Sequence, residues 1–284
     1  TDVSVNVTGA ANERALGKAV MPVFHAFFSI GVLAGSGIGA IAELVGLSVA
    51  PHFIGIAAIS LGSVIVAVRW LVPESAVFAD GAEEDAPPRG LRDRLRFLLD
   101  PRTLVVGLMV FCAALAEGVA NDWIALGVVD GHGFSNAEAS VVLVVFVAAM
   151  TAARLVSVFL LDRFGRVPIL RISFALAFAG LLLFIVAPVP ALVYAGAAIW
   201  GIGAAIGFPV GMSVAADDPS VAATRVSIVA AIGYLAFLGG PPVIGFLGEH
   251  FTILIALTLP LALMVLGFVI SGVAREPKAP AAPE

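Results

Sequence analysis

Residues 172–216 read ISFALAFAGLLLFIVAPVPALVYAGAAIWGIGAAIGFPVGMSVAA, without one charged side chain. A helix needs about 20 mostly apolar residues to cross a hydrocarbon layer of about 30 Å. The run is twice that long, and Pro188 and Pro190 divide it. It therefore predicts two consecutive membrane-spanning helices. The same count applied outward predicts eight spans, near 23–45, 52–72, 104–127, 138–161, 168–188, 191–215, 225–248 and 251–273. Composition agrees: 61% of residues are hydrophobic and 12% charged, and mean hydropathy is +1.09. Soluble domains carry about 25% charged residues, so water cannot be the main solvent of this surface. Period-2 alternation, the mark of barrel strands, is not found. The fold class is an all-α integral membrane bundle, packed through its many Gly and Ala residues.

Charge sets orientation. All but one of the 15 Lys and Arg residues fall in 10–22, 69–103, 162–171, 216–225 and 274–284. The intervening loops carry none, so the positive-inside rule places the basic side, with both termini, in the cytoplasm. The exception, Arg154, sits inside a span. Residues 73–103 read as a polar linker with a short amphipathic helix at 91–99. Residues 274–284 read as a disordered tail. The net charge of −5 argues against a nucleic-acid partner. Cys112 is the only cysteine, which excludes an internal disulfide and a cysteine metal cluster. No metal site or cofactor is expected. No nucleophile-elbow or phosphate-loop pattern occurs, so neither an enzyme nor an ATP-driven pump is indicated.

Several features resemble the major facilitator superfamily. The loop Asp162-Arg163-Phe164-Gly165-Arg166 is similar to the superfamily's acidic-basic-x-Gly signature, although Val158 stands where the family has Gly. Glu117-Gly118 with Asn121-Asp122-Trp123, the run Phe208-Pro209 to Asp218-Pro219, and Gly239-Gly240-Pro241-Pro242 resemble a bacterial branch near the fucose permeases. So do Asp2, Asn6, Gly9, Glu13 and Gly17, followed by His25 and Phe28-Ser29. The resemblance implies an N-terminally truncated member with eight of an expected twelve helices. Residues 1–72 would close the first six-helix half, 73–103 would be the linker, and 104–273 would be the whole second half. It implies a bacterial inner-membrane secondary transporter, symporter or antiporter, working by alternating access on a small solute and monomeric when full length. A non-transporting scaffold or transporter remnant is the alternative.

Candidate site residues follow from cost. A charge within a span is expensive and is a functional hypothesis by default. Glu117, about 13 residues or roughly 20 Å into its helix, is the candidate proton carrier or solute ligand. Asn121, one turn on, could share a ligand. Asp122 reads as an interface or gate residue as much as a site residue. Arg154 could pair with an inward-facing acid or an anionic substrate, or serve the gate with Asp162, Arg163, Gly165 and Arg166. His25 is a structural histidine or a proton relay. Trp200 and Tyr234 could stack on a ligand or simply pack. Pro209 and, more strongly, Gly240, Pro241 and Pro242 are expected to interrupt their helices.

Overall fold

A computed structural model describes residues 2–70 and 99–276, and the apolar runs in it are helices. Among the described residues there is no strand, and eight helical segments are long and apolar enough to cross a membrane. The chain is a multi-pass membrane protein. In order, the helices are α1 (Asp2–Leu16), α2 (Met21–Leu44), α3 (Val49–Val68), α4 (Pro101–Leu126), α5 (Asn136–Phe164), α6 (Arg166–Val186), α7 (Pro190–Ala204), α8 (Gly207–Ala215), α9 (Ala222–His250), α10 (Ile253–Ala256) and α11 (Thr258–Ile270). The linker's expected amphipathic helix and most of the polar tail lie outside the described residues.

The described residues form two compact units, one from 2–26 with 99–276, the other from 27–70. The second holds most of α2 and all of α3, which carries no buried residue. In the first unit α4 is the central helix. It packs against α9, α11, α8 and α5, while α7 lies between α5 and α6. Fifteen residues of α4 are buried, and from Cys112 to Ala120 the helix is buried without interruption. That stretch is mainly Ala and Gly, which lets neighbouring backbones come close.

Helix ends follow local chemistry. Asp100 caps α4: its carboxylate accepts from the Thr103 backbone N–H at 2.9 Å and hydroxyl at 2.8 Å, and Pro101 opens the first turn. Burial pushes the Asp100 carboxyl up, but the Thr103 bonds, with Arg225 and Arg102 nearby, outweigh it and hold the carboxyl below its ordinary range. Ser135 and Glu138 form a reciprocal capping box at the start of α5. Gly165, at φ +78°, turns the chain between α5 and α6 in a backbone region that favours glycine.

The two expected helix interruptions differ in outcome. The segment 190–215 breaks at Ala205 and Ile206, and Pro209 then lies in the first turn of α8, where no N–H is needed. Pro241 and Pro242, by contrast, sit inside an uninterrupted α9. The expectation of a break there is corrected. Two ladder bonds go, but tolerance of proline is common in membrane helices, because the surrounding helices adjust to the freed carbonyls. Gly240 leaves room for Leu115 at 3.4 Å from its would-be Cβ, so α9 stays docked on α4 at that level.

Candidate functional site: a buried ion pair at a helix break

The break in 190–215 has a local cause. The carbonyl of Ala205 would ordinarily accept from the N–H of residue 209, and Pro209 has none. An orphaned carbonyl inside a membrane protein needs another donor. Arg154 supplies it: Nε donates to Ala205 O at 2.9 Å. The same guanidinium donates from Nη1 to His25 O at 3.3 Å and from Nη2 to Glu117 Oε2 at 2.8 Å. Arg154 cannot shed its charge, and only 1% of its side chain is accessible, against 11% for Glu117. One cation thus joins α5, α4, the start of α2 and the α7–α8 break. A second freed carbonyl, Gly203 O, is taken by the Ser173 hydroxyl.

The pair lies deep. Glu117 stands close to the middle of a continuous helical span from Pro101 to Gly131, 31 residues long, that ends in a π-helical turn. His25 approaches from α2, with Nε2 3.3 Å from Asn6 Oδ1 and its ring 5.4 Å from that of Phe208. The structure brings Glu117, Arg154, His25 and the Pro209 break together. Asn121 and Asp122 are exposed further along α4. Trp200 is fully buried between Phe146 and Phe184, at ring separations of 5.4 and 6.0 Å, with no partner for its indole N–H. Tyr234 is 38% exposed on α9.

A second polar cluster closes the basic end of the unit around a cavity of about 420 Å³. Asp162 accepts from the Ala19 backbone N–H at 2.9 Å. Arg166 bonds Asp217 at 2.6 Å and Ser213 at 2.9 Å, and Arg102 reaches the other oxygen of Asp217 at 2.8 Å. Ser213 in turn donates to Glu13, whose second oxygen accepts from the Val20 and Met21 N–H groups at 2.9 Å and so caps α2. Arg14 donates to Ala216 O at 3.1 Å. Arg163 lies over the Phe164 ring at 5.5 Å. Asp217 and Glu13 were not among the candidates drawn from sequence. Their partners are as much as 115 and 200 residues away, and no local pattern announces such pairs. Asp217→Asn is expected to cost about 1.5–3 kcal/mol, because two charge-assisted bonds lose their anion. Thermal unfolding in detergent measures it, and a variant as stable as the parent would show that Asp217 links nothing. At the opposite end, a cavity of about 610 Å³ opens among Trp123, Asp130, Glu249 and Thr252.

The pattern of the Major Facilitator Superfamily matches residues 106–284. An uncharacterized transporter of Sinorhizobium fredii is 32% identical over 252 residues, which cover 88% of this chain and 64% of the relative. The membrane protein MosC of Rhizobium meliloti is 27% identical over 250 residues, covering 87% and 58%. The chain therefore spans about six-tenths of the length of these curated relatives. Among solved structures, the Major Facilitator Superfamily transporter FucP in its outward conformation superposes with a TM-score of 0.65 over 80% of this chain and 55% of FucP, at 16% identity. That likeness concerns the fold alone. With more than half of its residues matched by the family pattern, the chain belongs to the Major Facilitator Superfamily.

Proposed function

We propose that this chain is part of a secondary active transporter that carries a small polar solute by alternating access, coupled to protons. Residues 1–72 belong to the first half of the bundle and 104–273 form the second, with the 73–103 linker and both ends of this chain on the cytoplasmic side of a bacterial inner membrane. The observation that carries the reading is the Glu117–Arg154 pair, deep in the bundle and beside a broken helix. Membrane transporters place coupling and solute sites at such breaks near the midplane. A carboxylate that is partly accessible while its cation is sealed can take a proton without either group leaving the site. The Asp162, Arg163, Gly165 and Arg166 turn, with Asp217 and Glu13, serves as the cytoplasmic gate, since it ties α1 and α2 to α5, α6 and α8.

The test uses full-length protein in liposomes loaded with a pH-sensitive dye. Solute-driven proton movement is expected, and Glu117→Gln should slow it about tenfold or more, equivalent to about 1.4 kcal/mol. Unchanged proton movement in that variant would remove Glu117 from the mechanism. No proton movement across a broad solute panel would remove the coupling itself.

A further inference from the structure

We infer that the cavity at the end opposite the basic cluster binds a small organic cation, an ammonium seated on Trp123 with Asp130 and Glu249 as its counter-charges. Neither Glu117 nor Arg154 lines that cavity, and the inference does not depend on the transport reading above.

Three observations lead there. The first is the cavity itself. Its volume of about 610 Å³ is that of pockets which enclose small organic molecules, and far more than a bare ion needs. It forms where the π-helical turn Gly127–Gly131, at the end of α4, meets the last turn of α9 and the start of α10. Gly131, Gly245 and Gly248 line it, so part of its wall is backbone. A Cβ on Gly131 would lie 2.6 Å from Leu254 Cγ, so the turn is seated directly on α10. The second observation is charge. Asp130 and Glu249 line the cavity, and no Lys or Arg does. The chain segments 128–137, 189–190 and 249–252 hold no Lys or Arg either. Among the described residues neither carboxylate has a hydrogen bond or an ion pair. The acids lining the basic-end cavity differ: Glu13, Asp162, Asp217 and Glu276 all have donors or cations beside them. Two unpaired like charges in one cleft focus its field and draw cations. The third observation is the aromatic wall. Trp123 lines the same cavity, and its Cη2 stands 3.2 Å from the would-be Cβ of Gly245. Indole is the strongest aromatic partner for a cation. The Trp123 N–H is buried without a partner, which leaves a donor for a ligand oxygen.

These features choose among ligands. A metal ion needs a denser shell, and among the described residues no group of three His, Cys, Asp or Glu could hold one. An anion would be repelled. A neutral polyol could stack on Trp123 but would leave both negative charges uncompensated. An ammonium offsets that charge and faces the ring, while its carbon body meets Leu126, Ile253 and Leu254. Thr252 Oγ1 accepts from the Ile255 N–H at 3.2 Å, which leaves its own O–H to donate to a ligand oxygen. The histidines of this end are engaged elsewhere. His250 Nδ1 is 2.8 Å from Phe246 O, and the His132 ring meets those of Phe134 and Phe184 edge-on. Amino alcohols and arylethylamines combine the parts that this cavity selects.

The experiment uses full-length protein in detergent and probes of matched size: choline with dimethylbutanol, its neutral carbon isostere, and tyramine with tyrosol. Titration calorimetry reads binding at low and at high salt. Each ammonium is expected to bind at millimolar concentration where its neutral counterpart does not. Binding should weaken in high salt, because both acids are exposed and therefore screened. Trp123→Leu should weaken choline about tenfold, in the range of a partly desolvated contact between a cation and a ring. Asp130→Asn combined with Glu249→Gln should weaken it about tenfold as well, from two exposed ion pairs. Neither acid has a partner in the protein, so this double variant should unfold at the temperature of the parent, which separates lost binding from lost fold. Equal binding of an ammonium and its neutral counterpart, or parental affinity for choline in the double variant, would overturn the proposal. So would the absence of ammonium binding, binding of glucose in its place, or stabilisation by calcium where no ammonium stabilises.

Discussion

Arg154→Ala is expected to destabilise the protein by about 3–5 kcal/mol, the range for removing one partner of a buried ion pair. The loss is larger than one salt bridge suggests, because the side chain also donates to the carbonyls of Ala205 and His25. Glu117 would be left as an uncompensated carboxylate. Ala205 O would be orphaned a second time, since Pro209 offers no N–H in place of the guanidinium. His25 O would lose its donor as well. Arg154→Lys should recover only part of the loss, because one ammonium cannot reproduce a planar fork that donates in several directions at once. Thermal unfolding of detergent-solubilised protein gives the number. Adding Glu117→Gln to Arg154→Ala should return stability, through a favourable coupling of about 0.5–3 kcal/mol between neighbours in one network. Strict additivity of the two substitutions, with Arg154→Ala close to wild type, would mean that the pair contributes nothing.

Much of this molecule could be read from the chain alone, because the membrane makes backbone satisfaction a local affair. A span predicted at 23–45 is Met21–Leu44, and one predicted at 168–188 is Arg166–Val186. The uncharged run 172–216 decides the helices on either side of Pro188 without reference to any neighbour. Partners are another matter. Glu117 and Arg154 were both singled out, and pairing of Arg154 with an inward-facing acid was one of its readings, yet which acid it would meet was not legible, since helical periodicity gives a residue's face but not what meets it 37 positions away. A gate was visible in Asp162, Arg163, Gly165 and Arg166, whereas Asp217, 51 residues from Arg166, was not. One clue was there to be used. A proline at position i orphans the carbonyl at i−4, so Pro209 already pointed to Ala205 as an acceptor in search of a donor. The same rule overstates Pro241 and Pro242, because the number of lost bonds does not reveal whether neighbouring helices will hold the segment straight.

Gly203→Ala is expected to cost about 3 kcal/mol or more, at or beyond the upper end of ordinary overpacking. A Cβ on Gly203 would lie 2.0 Å from the backbone nitrogen of Ala177 in α6. Across the same seam, a Cβ on Gly180 would lie 2.2 Å from the Trp200 nitrogen, and one on Gly196 would lie 2.6 Å from the Phe184 nitrogen. Backbone meets backbone at all three points, so no flexible side chain can swing away. The helices α6 and α7 would have to separate along their whole contact. The comparison is Gly239→Ala on α9, where a Cβ meets nothing within 4 Å. There the change should be neutral or slightly stabilising, by up to about 1 kcal/mol of helix propensity. Unfolding of the two variants side by side is the measurement, and equal stability would refute the close approach. The effect should also reach the ion pair. Gly203 is two residues before Ala205, and its carbonyl is fastened to Ser173 on α6. Forcing α7 from α6 therefore displaces the acceptor that holds Arg154. Surviving Gly203→Ala protein should then show weakened proton coupling although neither charge has been altered, whereas Gly239→Ala should leave the coupling unchanged.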